Sequence, residues 1–378
     1  MEKQKLKIAV VHDWLTGMRG GEKVLEIIFE IFPDADLFTL LYNKGSVSTL
    51  IADRNIYTSF IDKLPFKLNK YRHYLPLFPT AIELFDFKEY DIIVSTSHCV
   101  AKGVRTPPNT LHISYVHSPM RYVWDMYEDY FGDDKIGFLQ KIIIPPFANY
   151  LRMWDVTSSN RVDYFIANSQ HVSNRIQKYY RREAQVIHPP VNTETYKKSD
   201  ITADFYLVIS ALVPYKRIDL AVEAFNQNGK SLVVVGDGPE KRKLIKLAKS
   251  NIKFVAGIIS EELNDYYSKC KALIFPGEED FGIVPVEAQS CGKPVIAFAK
   301  GGALETVIGY NGKNENRCSG IFFNSQTPGA LTTAIEEFEN LEWNATFINQ
   351  HAQKFSKDKF KKELSLFIEK KVTDFFGD

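Results

Sequence analysis

The chain has 378 residues, 45% of them hydrophobic and 25% charged, with a formal net charge of +1. That length exceeds one ordinary core and suits two domains of α/β size, while the near-neutral balance gives no case for a nucleic-acid partner. The four cysteines, Cys99, Cys270, Cys291 and Cys318, lie far apart in apolar surroundings without metal or redox spacing, and read as buried reduced thiols of a cytoplasmic protein.

The sequence MEKQKLK leads directly into a short strand, Lys7 to His12, too brief an apolar run for a signal peptide or a membrane span. Gly20 and Gly21 then open an amphipathic helix whose apolar positions are Val24, Leu25, Ile28 and Phe29. The pair serves either an ordinary turn or a close backbone approach to a ligand, and its spacing is not the dinucleotide fingerprint. Asp34-Ala35-Asp36 copies a metal-binding tripeptide but sits in a turn before the strand Leu37 to Leu41, and no metal is assigned to it.

From Tyr57 to Phe87 aromatic and leucine residues interleave with Lys63, Lys67, Lys70 and Arg72. Such a stretch either lies on an anionic membrane surface or packs as a helical insertion with its basic side in water. Strands resume at Asp91 to Thr96 and Leu111 to Val116. His117, just past the second, either meets a ligand at the strand end or caps a core strand. An aromatic, interrupted helical stretch runs from Tyr122 to Trp154, and Val162 to Ala167 and Gln185 to His188 complete the first sheet.

The connection His188-Pro189-Pro190 marks a boundary, giving domains 1–190 and 191–355. Beyond it six strands are expected, at Phe205 to Ser210, Ser231 to Val235, Ile252 to Val255, Lys271 to Phe275, Val295 to Phe298 and Gly320 to Phe323. Helical patterns between them, at Ile218 to Phe225, Glu240 to Lys249 and Ser260 to Lys269, make the region Rossmann-like. A last helix, 356–378, is long enough to pack back on the first domain.

Three strand-to-helix turns of the second domain carry chemistry. Lys216 and Arg217 place two cations beside a helix start, an arrangement that suits a phosphate. Gly236 and Gly238 follow a strand and permit another close backbone approach. Glu279 lies in the acidic loop after Phe275, and Glu287 eight residues later lies inside the next helix. Their spacing rules out a close carboxylate dyad. Each is either a solvated or helix-end charge or an acceptor for vicinal hydroxyls, and Glu278 and Asp280 read as solvated neighbours.

Glu279-(seven residues)-Glu287 within EEDFGIVPVEA resembles the signature of the retaining family-4 glycosyltransferases. The likeness continues through CGKPVIAF, GGALETV, VVVGDGPEKRKL and RGGEK. YVHSPMRYVWD and SALVPYKRIDLAVEAF are similar to the branch of bacterial O-antigen mannosyltransferases. The resemblance implies an α/β GT-B fold, two Rossmann-like domains facing each other across a cleft, acceptor-side first and donor-side second. It implies that Glu279 and His117 contact the donor sugar, Lys216 the diphosphate, and Glu287 the ribose. Phe281, Gly282 and Ile283 would touch sugar and phosphate through their backbone, and Gly20 and Gly21 would approach the diphosphate. Ala211 departs from the family's pattern, which has an arginine there, and Arg217 is the candidate to supply that charge.

The implied activity is a metal-independent hexosyltransferase with no cofactor, moving mannose from GDP-mannose to a glycan or lipid-linked acceptor in surface polysaccharide assembly. It would work peripherally on the inner face of the cytoplasmic membrane, with 57–87 against anionic lipid. A UDP-sugar donor or a non-catalytic sugar-nucleotide-binding protein are the alternatives.

Overall fold

The computed structural model describes residues 6–132, 137–199, 201–258 and 260–377. Residues 133–136, within the expected 122–154 helical stretch, lie outside the described residues, as does the end of the expected 356–378 helix. The chain divides into two compact units, Met1–Pro189 with Phe360–Asp378, and Pro190–Lys359.

The first unit contains β1 (Ile8–His12), β2 (Asp36–Thr39), β3 (Ile56–Thr58), β4 (Ile92–Ser97), β5 (Leu111–Val116), β6 (Tyr164–Ala167) and β7 (Ala184–Val186). They form a parallel sheet in the order β3-β2-β1-β4-β5-β6-β7. Both faces are covered, which is why its strands read as continuous apolar runs. Along β1, Ala9 and Val11 enter one core cluster while Val10 enters the opposite one. One strand was not expected: β3 is only three residues long and overlaps the start of the stretch read as a basic aromatic segment.

That segment divides between two environments. Ile61, Tyr71, Phe78, Ala81, Ile82 and Phe87 are buried in the first unit's core, whereas Phe66, Leu68, Leu77 and Leu84 are exposed. Its helical pieces are short: Pro65 separates Phe60–Lys63 from Lys67–Lys70, Pro76 lies inside the tight turn-helix Tyr71–Leu77, and Pro79 starts Phe78–Glu83. The C-terminal helix Lys357–Phe376 buries Phe360, Leu364 and Ile368 in the first unit's other cluster, at the four-residue spacing that aligns one helical face.

The second unit contains β8 (Tyr206–Ile209), β9 (Leu232–Val235), β10 (Ile252–Val255), β11 (Leu273–Phe275), β12 (Val295–Phe298) and β13 (Gly320–Phe323). All pair in parallel in the order β10-β9-β8-β11-β12-β13. The six expected strands are all present, and the helix over Ser260–Lys269 has the expected bounds. Both units are thus Rossmann-like. The four cysteines are buried as free thiols, and burial raises each thiol's pKa. Among the described residues no helix is long and apolar enough to cross a membrane.

The interior of the first unit holds a histidine that makes stability depend on pH. His112 Nε2 lies 2.9 Å from Ser95 Oγ and Nδ1 lies 3.3 Å from the Arg161 carbonyl. This suits a neutral ring, with Nδ1–H donating to the carbonyl and the Ser95 hydroxyl donating to Nε2. Burial pushes the pKa of His112 down to about 4. The unfolded chain therefore binds a proton that the folded chain refuses between pH 6.5 and about 4. The contribution is fully present above pH 6.5 and is lost as pH falls. Urea titrations should show up to about 3 kcal/mol of stability lost toward pH 4 on this account. His112→Asn should flatten that part of the slope, and an unchanged slope would exclude the assignment.

Candidate functional site

In the first unit β1, β4 and β5 are adjacent and parallel, so His12, His98 and His117 emerge at one edge of the sheet. The His12 and His98 rings lie 6.3 Å apart and those of His98 and His117 6.4 Å apart. Asp13 fixes the loop between them. Its fully buried carboxylate accepts the backbone N–H groups of His98, Cys99, Val100 and Ala101 at 2.7–2.9 Å, and His98 Nδ1 lies 3.1 Å away. Four amides on one carboxylate hold the 98–101 turn without a long helix.

The helix Gly20–Ile31 points its N-terminus at the same edge. A β-carbon on Gly21 would sit 3.4 Å from His12 Cε1 and 3.5 Å from His117 Nε2, so glycine keeps open the space before His117. His12 Nδ1 meets Thr96 Oγ1 at 2.5 Å, and its Nε2 lies 3.7 Å from Glu22. Burial opposes ionisation of Glu22, yet His12 and the Arg19 amide hold its carboxyl below the usual range. Burial, then His98 and His12, push the pKa of His117 down to about 3. Its Nε2 is buried and has no hydrogen-bond partner among the described residues. A neutral imidazole of this kind offers one donor and one acceptor to a hydroxyl.

In the second unit the corresponding edge is made by the ends of β8, β9 and β11. Lys216 closes the short turn Pro214–Lys216, and its ammonium forms an ion pair with Glu279 Oε1. Arg217 has φ +54° and precedes the helix Ile218–Asn228. Its guanidinium is held by Asp219 at 3.3 Å and Gln326 at 3.4 Å, and Gln326 also donates to the Pro276 carbonyl at 2.9 Å. Gln326 thereby ties the cationic turn to the acidic one. Gly282, at φ +90°, opens the helix Ile283–Ser290, so the amides of Ile283 and Val284 stand at a helix N-terminus beside this pair.

Several expected residues take different surroundings. Gly236 and Gly238 lie against the backbone of Ser210 and Leu212, where β-carbons would come within 1.9 and 2.4 Å of carbonyl oxygens. The close approach they permit is therefore to the loop that leads to Lys216. Phe281 turns its ring inward onto Phe355, with centroids 5.6 Å apart. Glu287 is buried, accepting the Tyr267 hydroxyl at 2.6 Å and the hydroxyl of Tyr196. Asp280 is buried rather than solvated, because its turn folds down against Gly301 and Gly302. Asp36, from the Asp-Ala-Asp tripeptide, accepts hydrogen bonds from Tyr90 and Asn55.

The residues that sequence reasoning missed are those that hold others. Asp13, His12 and Glu22 lay within HDWLTGMRGGEK, where acids and histidines at a strand end were the available signal. Gln326, Tyr196 and Tyr267 had none, being remote in sequence from what they touch.

The acidic turn depends on Gly302, whose N–H donates to the Glu279 carbonyl at 2.8 Å. A β-carbon there would lie 2.2 Å from Phe281 Cα, backbone that cannot swing aside. Gly302→Ala should therefore destabilise the protein by about 3 kcal/mol in urea titrations. A loss below about 0.5 kcal/mol would place it among ordinary surface changes and show that the turn is not held this way.

Residues 38–195 match the family described as Glycosyltransferase Family 4, and residues 192–361 the one described as Glycosyl transferases group 1. The chain is 30% identical over 238 residues to the uncharacterized glycosyltransferase MJ1178 of Methanocaldococcus jannaschii, an alignment covering 61% of this chain and 64% of that protein. It is 28% identical over 270 residues to the alpha-1,3/1,6-mannosyltransferase ALG2 of Saccharomyces cerevisiae, covering 56% of this chain and 52% of the relative. The chain thus spans between half and two thirds of the length of these relatives. In fold it is similar to sucrose-phosphate synthase from Thermosynechococcus elongatus, with a TM-score of 0.73 at 18% identity over 98% of this chain and 100% of that one. With a family-4 domain followed by a group 1 domain, each a Rossmann-like unit, the chain belongs to the glycosyltransferases of GT-B fold.

Proposed function

We propose that the protein transfers a hexose, mannose from GDP-mannose, to a lipid-linked glycan acceptor, with retention at the anomeric carbon. The observation that carries this reading is the ion pair of Lys216 with Glu279 beside the N-terminus of Ile283–Ser290. An ammonium has three N–H donors and a carboxylate several acceptor sites, so each keeps capacity beyond their mutual contact. Lys216 then serves the diphosphate and Glu279 the sugar hydroxyls. Arg217 and the amides of Ile283 and Val284 add positive potential, and Glu287, oriented by two tyrosine hydroxyls, serves the ribose. Backbone at Gly236 and Gly238 shapes the nucleotide side.

In this reading the bond from the anomeric carbon to the diphosphate oxygen breaks while the acceptor hydroxyl attacks the same face. The acceptor proton passes to the departing diphosphate. Fixed cations and amides stabilise that charge, so chelator leaves the rate unchanged. In the first unit His117, neutral at physiological pH, hydrogen-bonds a sugar hydroxyl, and Gly20 and Gly21 leave room for the ligand. The likeness to ALG2, a mannosyltransferase, supports the choice of sugar. The basic exposed residues of 57–87 support an acceptor presented at the cytoplasmic face of a membrane.

Calorimetry and slow-hydrolysis assays across a panel of nucleotide sugars test the donor. GDP-mannose should bind most tightly, and a preference for a UDP-sugar would overturn that choice. Lys216→Ala should cut kcat/KM by about a hundredfold and weaken both GDP and GDP-mannose. Glu279→Gln should weaken GDP-mannose while leaving GDP unaffected, and Arg217→Ala should weaken both nucleotides about tenfold. Donor affinity without any product in the presence of lipid-linked acceptor would mark a binding protein instead.

Gly21→Ala separates a ligand role from an ordinary turn. Gly21 is helical, so alanine should leave thermal stability unchanged or raise it by up to about 1 kcal/mol. The added methyl group faces His117, and turnover should fall at least about tenfold. Full activity in this variant would remove Gly21 from the site.

A further inference from the structure

The helix Phe138–Ser159 is apolar on the side that faces away from its own unit. Ala148 and Leu151 point inward to the core, yet Phe138 is 77% exposed, Ile142 57%, Ile143 53% and Met153 57%, with Phe147 and Tyr150 also exposed. At 100° per residue these six side chains fall within one half of the helix circumference. A row of this size on one exposed face marks a surface that associates with something.

The chemistry of the surroundings selects the partner. The helix holds one carboxylate, Asp155, which is buried and paired with Lys102 Nζ at 2.9 Å, so its outer face carries no acid. Lys141 stands on the border of the apolar face, whereas Arg152 on the same side is turned inward, donating to the Val123 carbonyl at 2.9 Å. The helix also neighbours the 57–87 segment. Trp154 Nε1 donates to Glu83 Oε1 at 2.7 Å, Leu84 beside it is exposed, and both segments contribute to one core cluster. Between residues 63 and 77 that segment has Lys63, Lys67, Lys70 and Arg72 and no carboxylate. Its nearest acids are engaged, Asp62 with Lys67 and Glu83 with Trp154 and Arg161.

We propose that the outer face of helix Phe138–Ser159 is the principal lipid-docking surface of the first unit, lying in the headgroup–acyl boundary of an anionic bilayer. The 63–77 cations supply the electrostatic part of that attachment and the helix supplies the apolar part. The inference rests on the reading of a lipid-linked acceptor and names the element that brings the enzyme to it.

Flotation with phosphatidylcholine vesicles, with and without phosphatidylglycerol, tests it. Wild type should bind the anionic vesicles, less so in high salt. Ile142→Gln/Ile143→Gln/Met153→Gln should lower the partition coefficient by on the order of a hundredfold. It should keep the wild-type melting temperature and the wild-type rate of donor hydrolysis in detergent-free buffer. Lys70→Gln/Arg72→Gln should lower partitioning about tenfold and blunt its salt dependence. Undiminished vesicle binding by the triple variant overturns the proposal. So does a wild type that sediments as a dimer while the triple variant is monomeric with unchanged lipid binding, since the face would then be a contact between copies. Vesicle binding lost in the triple variant of a protein that turns over no nucleotide sugar supports lipid docking while overturning the transferase reading alone.

Discussion

Backbone packed against backbone at distances a β-carbon would forbid is the constraint on which the second unit's strand ends depend. The Gly236–Gly238 turn lies on Ser210 and Leu212, Gly277 lies on Lys216, and Gly301 and Gly302 lie under Glu279 and Phe281. Each contact joins a turn after one strand to a turn after its neighbour. Together they bring a lysine from the end of β8 to a glutamate from the end of β11. Side-chain attraction alone could not do this, because a partly exposed ion pair contributes too little to order two loops. The loops are ordered first, and the ion pair is placed by them.

The first unit reaches a comparable result by another route. There a single buried carboxylate, Asp13, gathers four consecutive amides and so holds the loop that carries His98. The parallel order of β1, β4 and β5 sets three imidazoles at one edge, and burial keeps His117 uncharged. Neutrality suits this burial, since a buried imidazolium would require a counter-charge. The neighbouring carboxylate, Glu22, is directed to His12 and to the Arg19 amide.

Strand positions were legible because the central strands are buried on both faces and the runs are bounded by turn residues. In the second unit the runs at Ile252–Val255, Val295–Phe298 and Gly320–Phe323 end where their sequence patterns end. β3 was not legible, being three residues long at the start of a stretch dominated by aromatic and basic side chains. Among site residues the acidic turn and Lys216-Arg217 could be found from residue type and position after a strand. The burial of Asp280 could not, because it depends on a glycine pair some twenty positions away. Nor could the two tyrosines on Glu287, which come from Tyr196 and Tyr267.

Residue patterns along the chain set two α/β units, the strand-to-helix turns that carry charge and glycine, and a lysine beside two glutamates whose spacing excludes a close dyad. These are local properties, written in periodicity and in the conformational limits of glycine and proline. Packing in three dimensions sets which turns meet, which carboxylates are buried, and that one helix of the first unit keeps an apolar face exposed. Those outcomes follow from strand order and from contacts between residues far apart in the chain, and neither is encoded in any short window of residues.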